Sequence, residues 1–330
     1  MQTRFDVVAI GHAIVDVLAH VDEAFLTAHG IAKGAMTLID AFRAETLERA
    51  MSKALEASGG SAANTAVGVA SFGGRAAFIG KVRDDRLGGV FAGEIRKSAV
   101  TFESLPAKSG LATASSHILV TPDGQRSMNT FLGCASALDV QDMDEKTVAA
   151  AKILYVEGYL WDTPGAKTAI RSAIAHAKAA KRQVAFTLSN PFCVGRWRDE
   201  FKSLLAGDVD ILFANEAEIK ALFETEHFDQ AFQAVRQWGG TAALTRSAHG
   251  SVVVDANGVH ILEAEPVATV EDTTGAGDQY AAGFLFGVAR GLPLGDCGRL
   301  GGIAAAEVIG HLGPRPLVSL NGLASKAGLG

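Results

Sequence analysis

The sequence predicts an α/β protein: a mainly parallel central sheet flanked by helices on both faces, with a small β-sheet attached. Three observations carry this. Short apolar runs recur along the chain and end in Gly, Asn or Ser. Helical patterns rich in Ala lie between most of them. Two stretches break the alternation and read as short strands joined by turns. Strands that alternate with helices form parallel sheets buried on both sides.

Taken in order, Phe5 to Gly11 is the first apolar run and ends in glycine, as a buried parallel strand does. Ala76–Val82, Ile153–Gly158, Val184–Ser189, Asp210–Asn215 and Ala242–Ser247 share its character. Ser61–Phe72, Leu87–Ser98, Gly165–Arg182, Glu216–Glu224 and Phe228–Trp238 carry the helical spacing. Ser251–Asp255 and Val259–Ala264, joined by Ala256-Asn257-Gly258, form a hairpin near the sheet edge. Gln279–Arg290 and Asp296–His311 are two Ala/Gly-rich helices suited to close packing. Residues 319–330 read as a loosely held end.

The interruptions are Val15–Asp40 and Thr101–Leu132. In the second, Ser115–Thr121 and Gln125–Phe131 flank the turn Pro122-Asp123-Gly124. The expected division is therefore a large α/β domain from residues 1–14, 41–100 and 133–330, with residues 15–40 and 101–132 forming a small β lid.

The 330-residue length suits one large domain with an appendage. A net charge of −6 gives no electrostatic case for nucleic acid or acidic lipid. Cys134, Cys193 and Cys297 are widely separated, form no metal-like pair and fit a reduced, cytoplasmic setting. The first residues read as a strand, not a signal peptide, and no apolar run reaches membrane-spanning length. Oligomeric state is left open between monomer and homodimer.

The chemistry concentrates in Asp272-Thr273-Thr274-Gly275-Ala276-Gly277-Asp278. Its glycines let backbone approach an anion, and a helix begins just after them with unpaired N–H groups. Asp278 stands beside that cradle as a candidate base. A glycine-rich helix cap with a solvated Asp is the ordinary alternative. Ser58-Gly59-Gly60-Ser61-Ala62-Ala63-Asn64 is a second glycine cluster; Gly59 and Gly60 admit a ligand against backbone, and Asn64 offers donor and acceptor. In isolation it reads better as a loop and a Ser cap. Asp16, five residues past Gly11, can bind two sugar hydroxyls or be a solvated charge. Asn215 and Glu218 lie one helical turn apart at a strand end, a pair suited to Mg²⁺ that keeps its waters, or to a helix cap. Thr245, Arg246 and Gly250 follow another strand and are placed to border a nucleotide. The phosphate loop G-x-x-x-x-G-K-[ST] is absent, because Val82 follows Gly80-Lys81. The dinucleotide motif also fails: Tyr280 stands where its third glycine would be.

Together, Ser58–Asn64, Asn215–Glu218 and Asp272–Asp278 resemble, in order and over nearly the whole chain, the ribokinase-like (PfkB) family of sugar and nucleoside kinases. The resemblance implies the ribokinase-like fold. It implies Asp278 as general base and Gly275, Ala276 and Gly277 as anion-hole residues. It implies Asp16, Gly60 and Asn64 as ligands of the acceptor's hydroxyls, and Asn215 and Glu218 around Mg²⁺ and ATP. It further implies a K⁺ site near Asp272 and Thr274, with a second loop at about residues 308–313. Within the family the chain is most similar to adenosine and related nucleoside kinases. Gly124–Met128 resembles their lid hairpin, with Arg126 reaching toward phosphates. Tyr155–Tyr159 resembles a strand whose terminal aromatic, Tyr159, stacks on the base. Phe186–Phe192 resembles the next strand and turn. Tyr159 and Trp161 can equally be packing residues. His12 stands where adenosine kinases commonly have Asn. The implied function is ATP- and Mg²⁺-dependent phosphorylation of a nucleoside 5′-hydroxyl, adenosine first. The alternatives are a kinase of a free sugar or sugar acid (ribose, fructose, 2-keto-3-deoxygluconate) and, behind it, a non-catalytic binder.

Overall fold

The computed structural model describes residues 3–329. Its larger sheet has eight strands in the order β13-β12-β11-β10-β9-β8-β1-β5. These are β1 (Phe5–Ile10), β5 (Ala76–Ile79), β8 (Ala151–Glu157), β9 (Gln183–Thr187), β10 (Ile211–Asn215), β11 (Thr241–Thr245), β12 (Ser251–Val254) and β13 (Val259–Leu262). All pair in parallel except β12 and β13, which close one edge as an antiparallel hairpin. The smaller sheet has five strands in the order β3-β7-β6-β2-β4. Its strands are β2 (Ile14–His20), β3 (Met36–Leu38), β4 (Leu55–Gly59), β6 (Ala114–Val120) and β7 (Arg126–Phe131).

The large sheet is buried on both faces, and the pleat shows why. Along β1, Val8 and Ile10 enter one core and Val7 and Ala9 the other. The first core is completed by α5 (Glu145–Ala149), α6 (Pro164–Ala179), α7 (Pro191–Gly207), α8 (Glu216–Phe223) and α9 (Phe228–Trp238). The second is completed by α3 (Ser61–Ser71), α4 (Arg86–Lys97), α10 (Ala276–Arg290) and α11 (Leu294–Ile309). Trp161 is fully buried and edge-on to Phe186 and Phe201, so it is a core residue.

Three expectations need correction. Strand β4 lies within residues 41–100, assigned above to the large domain, yet it pairs antiparallel with β2 from Ile14↔Gly59 to Leu18↔Leu55. Its pattern is weak because Leu55 is 72% exposed. The stretch Val15–Asp40 is not all strand: it holds α1 (Glu23–Ala28), capped by Asp22, whose carboxylate accepts from Phe25 N. After it, α2 (Ala41–Ala50) buries Leu47 in the same core as Val17 and Leu119 and so covers the small sheet. The chain end is also anchored. There α12 (Leu320–Lys326) buries Leu320 and Ala324 against Phe72, Phe286, Leu300 and Ala304. Leu320, Leu323 and Ala324 have helical spacing, but the seven-residue helix is short and carries Gly322, so its signal is weak. Gly330 lies outside the described residues. No helix among the described residues is long and apolar enough to cross a membrane.

Candidate active site

The parallel strands of the large sheet all end toward one rim, and the sequence-marked residues gather there. Asp278 lies in the first turn of α10. Gly275 precedes the helix at φ +80, and a Cβ there would lie 2.6 Å from Pro314 Cα, so the turn demands glycine. Ala276 N already donates to Thr273 O at 3.2 Å, which removes it from the three expected anion donors. The amides of Gly277 and Asp278 sit in the first turn, beyond reach of upstream helix carbonyls. A Cβ on Gly277 would meet nothing within 4 Å, so this turn faces open space.

The carboxylate of Asp278 is held by α3. Ser61 Oγ donates to its Oδ1 at 2.6 Å and Asn64 Nδ2 to its Oδ2 at 3.1 Å. Burial pushes Asp278 up to about 6, with Glu157 adding to the rise; the bonds from Ser61 and Asn64, and the charge of Arg315, oppose it. Ser61 was not anticipated as a partner of Asp278. Its position right after Gly59-Gly60, at the head of a helix, was the available signal.

The residues expected on the acceptor side come from the junction of the two sheets. Asp16 projects from β2 beside β4; a Cβ on Gly59 would lie 2.3 Å from its Oδ2. Burial pushes Asp16 up to about 6 as well, opposed by Arg315 and Arg126. Gly60 has φ +96, and a Cβ there would strike His12 O at 2.2 Å. His12 is held in turn by Glu157, a buried carboxylate at the end of β8. Glu157 accepts from His12 N at 2.8 Å and Ala62 N at 2.9 Å, and His12 Nδ1 lies 3.0 Å from Oε1.

Arg126, at the start of β7, crosses from the small sheet. Its Nη1 pairs with Asp272 and donates to Thr274 Oγ1 at 3.3 Å, while Nε and Nη2 are buried without a protein partner. Asp272 also accepts from Thr274 N at 3.0 Å and Gly313 N at 2.9 Å. Its carboxylate is thus committed to a guanidinium and two amides. The alkali-cation site expected at Asp272 and Thr274 remains a proposal, since these bonds do not involve the backbone carbonyl of either residue.

Asn215 and Glu218 form a reciprocal cap on α8. Glu218 N donates to Asn215 Oδ1 at 2.9 Å, while Glu218 accepts from Asn215 N at 2.9 Å and Nδ2 at 2.7 Å. Glu218 is buried, and burial pushes it up to about 7, with Asp278 contributing. Each of its oxygens keeps a lone pair, so the set fits Mg²⁺ held through water. Among the described residues no three His, Cys, Asp or Glu form a direct metal cluster.

Arg246 is less available than its strand-end position promised. Its Nε donates to Glu216 Oε2 at 3.0 Å and its guanidinium lies 4.1 Å over the Phe228 ring. Its backbone closes a turn, with Arg246 N donating to Gly250 O at 2.8 Å. Gly250 is required there: φ is +74 and a Cβ would fall 1.9 Å from Leu262 O. Thr245 ends β11 alongside Asn215 on β10. Tyr159 follows β8; its hydroxyl donates to Ser189 O at 3.1 Å and burial pushes its pKa upward. Phe192, three residues beyond Ser189, is 80% exposed.

A buried carboxylate held by α3 beside first-turn helix amides is an arrangement suited to phosphoryl transfer to a hydroxyl, the reaction of the family to which the chain belongs. The chain belongs to the pfkB family of carbohydrate kinases, whose family model matches residues 5–319. It is similar to the solved adenosine kinase of Sinorhizobium meliloti, at 52% identity and TM-score 0.91, covering 98% of this chain and 100% of that one. It is also similar to a probable sugar kinase structure from Rhizobium etli, at 46% identity and TM-score 0.92, covering 99% and 100%. The adenosine kinase of Saccharomyces cerevisiae is 26% identical, covering 93% of this chain and 95% of that one.

Proposed function

We propose that this enzyme transfers the γ-phosphoryl group of ATP to the 5′-hydroxyl of adenosine. The observation that carries the reading is Asp278, whose carboxylate is fixed by Ser61 and Asn64 at the start of α10. In this reading Asp16 and the backbone at Gly59–Gly60 hold the ribose hydroxyls, with Asn64. Asp278, ionised above about pH 6, takes the proton from the acceptor oxygen as phosphorus is attacked. The amides of Gly277 and Asp278 face the charge that develops on the transferred group. Arg126 has two buried N–H groups to offer the phosphates. Glu218 and Asn215 would hold Mg²⁺ through its waters; when bound, the ion supplies neutralisation of the phosphate charge. Thr245 and the backbone around Gly250 border the ATP side. Tyr159, tied down at its hydroxyl, and exposed Phe192 offer aromatic faces to a nucleobase. The small sheet is the lid that excludes water.

The nucleoside reading is supported by the adenosine kinase relative at 52% identity. The likeness to a probable sugar kinase at 46% supports the second reading, a free sugar or sugar acid as acceptor. Turnover of ATP with purified protein against a panel of nucleosides, ribose, fructose and keto-deoxy acids decides. Phosphorylation of adenosine with kcat/KM well above every free sugar is expected. Activity on a sugar with none on any nucleoside would overturn the first reading.

A further inference from the structure

Arg315, in the loop after α11, has no place in the scheme above, yet it reaches its centre. Its Nε donates to Asn64 Oδ1 at 3.2 Å and its Nη1 to Ser58 Oγ at 2.5 Å. Its Nη2 is buried without a protein partner. The loop is held by the same segment that carries Asp278. Gly313 N donates to Asp272 Oδ2 at 2.9 Å, and Gln279 Nε2 donates to Pro314 O at 3.0 Å.

The chemistry of the pair fixes the Asn64 amide. A guanidinium has donors only, so Oδ1 of Asn64 must face Arg315. Nδ2 is then the end presented to Asp278, 3.1 Å from Oδ2. Without Arg315 only the ionised carboxylate selects the donor end, and when Asp278 is protonated the amide is free to turn over and accept from it.

We propose that Arg315 is a positioning residue for phosphoryl transfer: it locks the Asn64 amide as a donor to Asp278. This rests on the reading of Asp278 as the base. The other titratable groups around the cluster are Asp272 before α10, Glu157 and Tyr155 on β8, Tyr159 after it, Glu218 on α8, Glu94 on α4 and Arg126 on β7. Of the two cations, Arg126 is already paired with Asp272. Burial pushes Arg315 down to about 10, so it stays charged at neutral pH.

The test is the pH dependence of kcat and KM for wild type, Arg315→Gln, Arg315→Lys and Asp278→Asn. Arg315→Gln is expected to lower kcat at pH 7 about tenfold and to move the acid limb up by about one pH unit, with KM for ATP little changed. Arg315→Lys is expected to return the limb toward wild type while kcat stays low, since an ammonium lacks the fork that holds Asn64 and Ser58 together. An unmoved limb in Arg315→Gln, or an even loss at every pH, overturns the proposal while an inactive Asp278→Asn leaves the base reading standing. Near-full activity of Asp278→Asn removes both. Should Arg315→Gln fail to fold, Arg315→Lys decides alone, and wild-type kcat in that variant overturns the proposal.

Discussion

Ser61 Oγ lies 2.6 Å from Oδ1 of Asp278, joining the head of α3 to the first turn of α10. This bond favours the ionised carboxylate against the burial that disfavours it. Ser61→Ala should lower kcat about 10- to 150-fold, the worth of one hydrogen bond to a charged group, at about 1.5–3 kcal/mol. Steady-state kinetics at saturating ATP checks this, and an unchanged kcat would show that the bond is idle in turnover.

Asp278→Asn should cut kcat by about 10²–10⁴ with the fold intact. The same change should raise thermal stability. The folded pKa, about 6, lies above the ordinary 3.8, so the native state binds the proton more tightly than the unfolded chain. Stability from this group is present below about pH 4 and is lost as pH rises through 6. The melting temperature of Asp278→Asn should therefore exceed wild type at pH 8, by about 2–4 °C, and the gap should shrink by pH 5. Scanning calorimetry at both values reads the difference directly.

The acid limb of kcat/KM should fall near pH 6 for wild type, since Asp278 and Asp16 are both pushed there. Where both carboxylates must be ionised the limb approaches a slope of two below both pKa values, and their mutual repulsion broadens it into two steps. A limb near pH 4 would mean that neither group governs turnover.

Glu157→Leu should cost about 3 kcal/mol, because it strips the amides of His12 and Ala62 and the ring of His12 of their acceptor in a buried place. Urea unfolding measures it. Glu157→Gln should cost less, since its carbonyl oxygen can keep one of those bonds.

Leu320→Ala should destabilise by about 2–5 kcal/mol, the usual penalty for emptying a closed core site. Removing residues 319–330 should do at least as much. A variant as stable as wild type would mean that α12 is not held as described.

The α/β architecture was legible because parallel strands buried on both faces leave unbroken apolar runs, as in Val7–Ile10 and Ile211–Ala214. Gly59, Gly60 and Gly275 were legible because backbone passes where a Cβ cannot stand. Strand β4 was hidden: Leu-Glu-Ala-Ser-Gly has no strand-like pattern, and its pairing with β2 spans a long separation. Arg315 was hidden for another reason. A lone arginine between two prolines has no local signature, and its meaning comes only from Asn64, 251 positions earlier. Arg246 misled in the opposite sense, since its strand-end position is spent on Glu216 and Phe228.

The junction of β4 and α3 has a mechanical meaning. Asp16 and Gly59 belong to the small sheet, whereas Ser61 and Asn64 ride on α3 in the large domain, with only Gly60 between. A swing of the small sheet would pivot there and at Gly11–Ala13 and Gly133, where φ is +47. Such a swing would carry Asp16 away from Asp278 while leaving Ser61 and Asn64 behind. Seating the acceptor and shutting out water would then be one movement, and an enzyme so hinged wastes little ATP when its second substrate is missing.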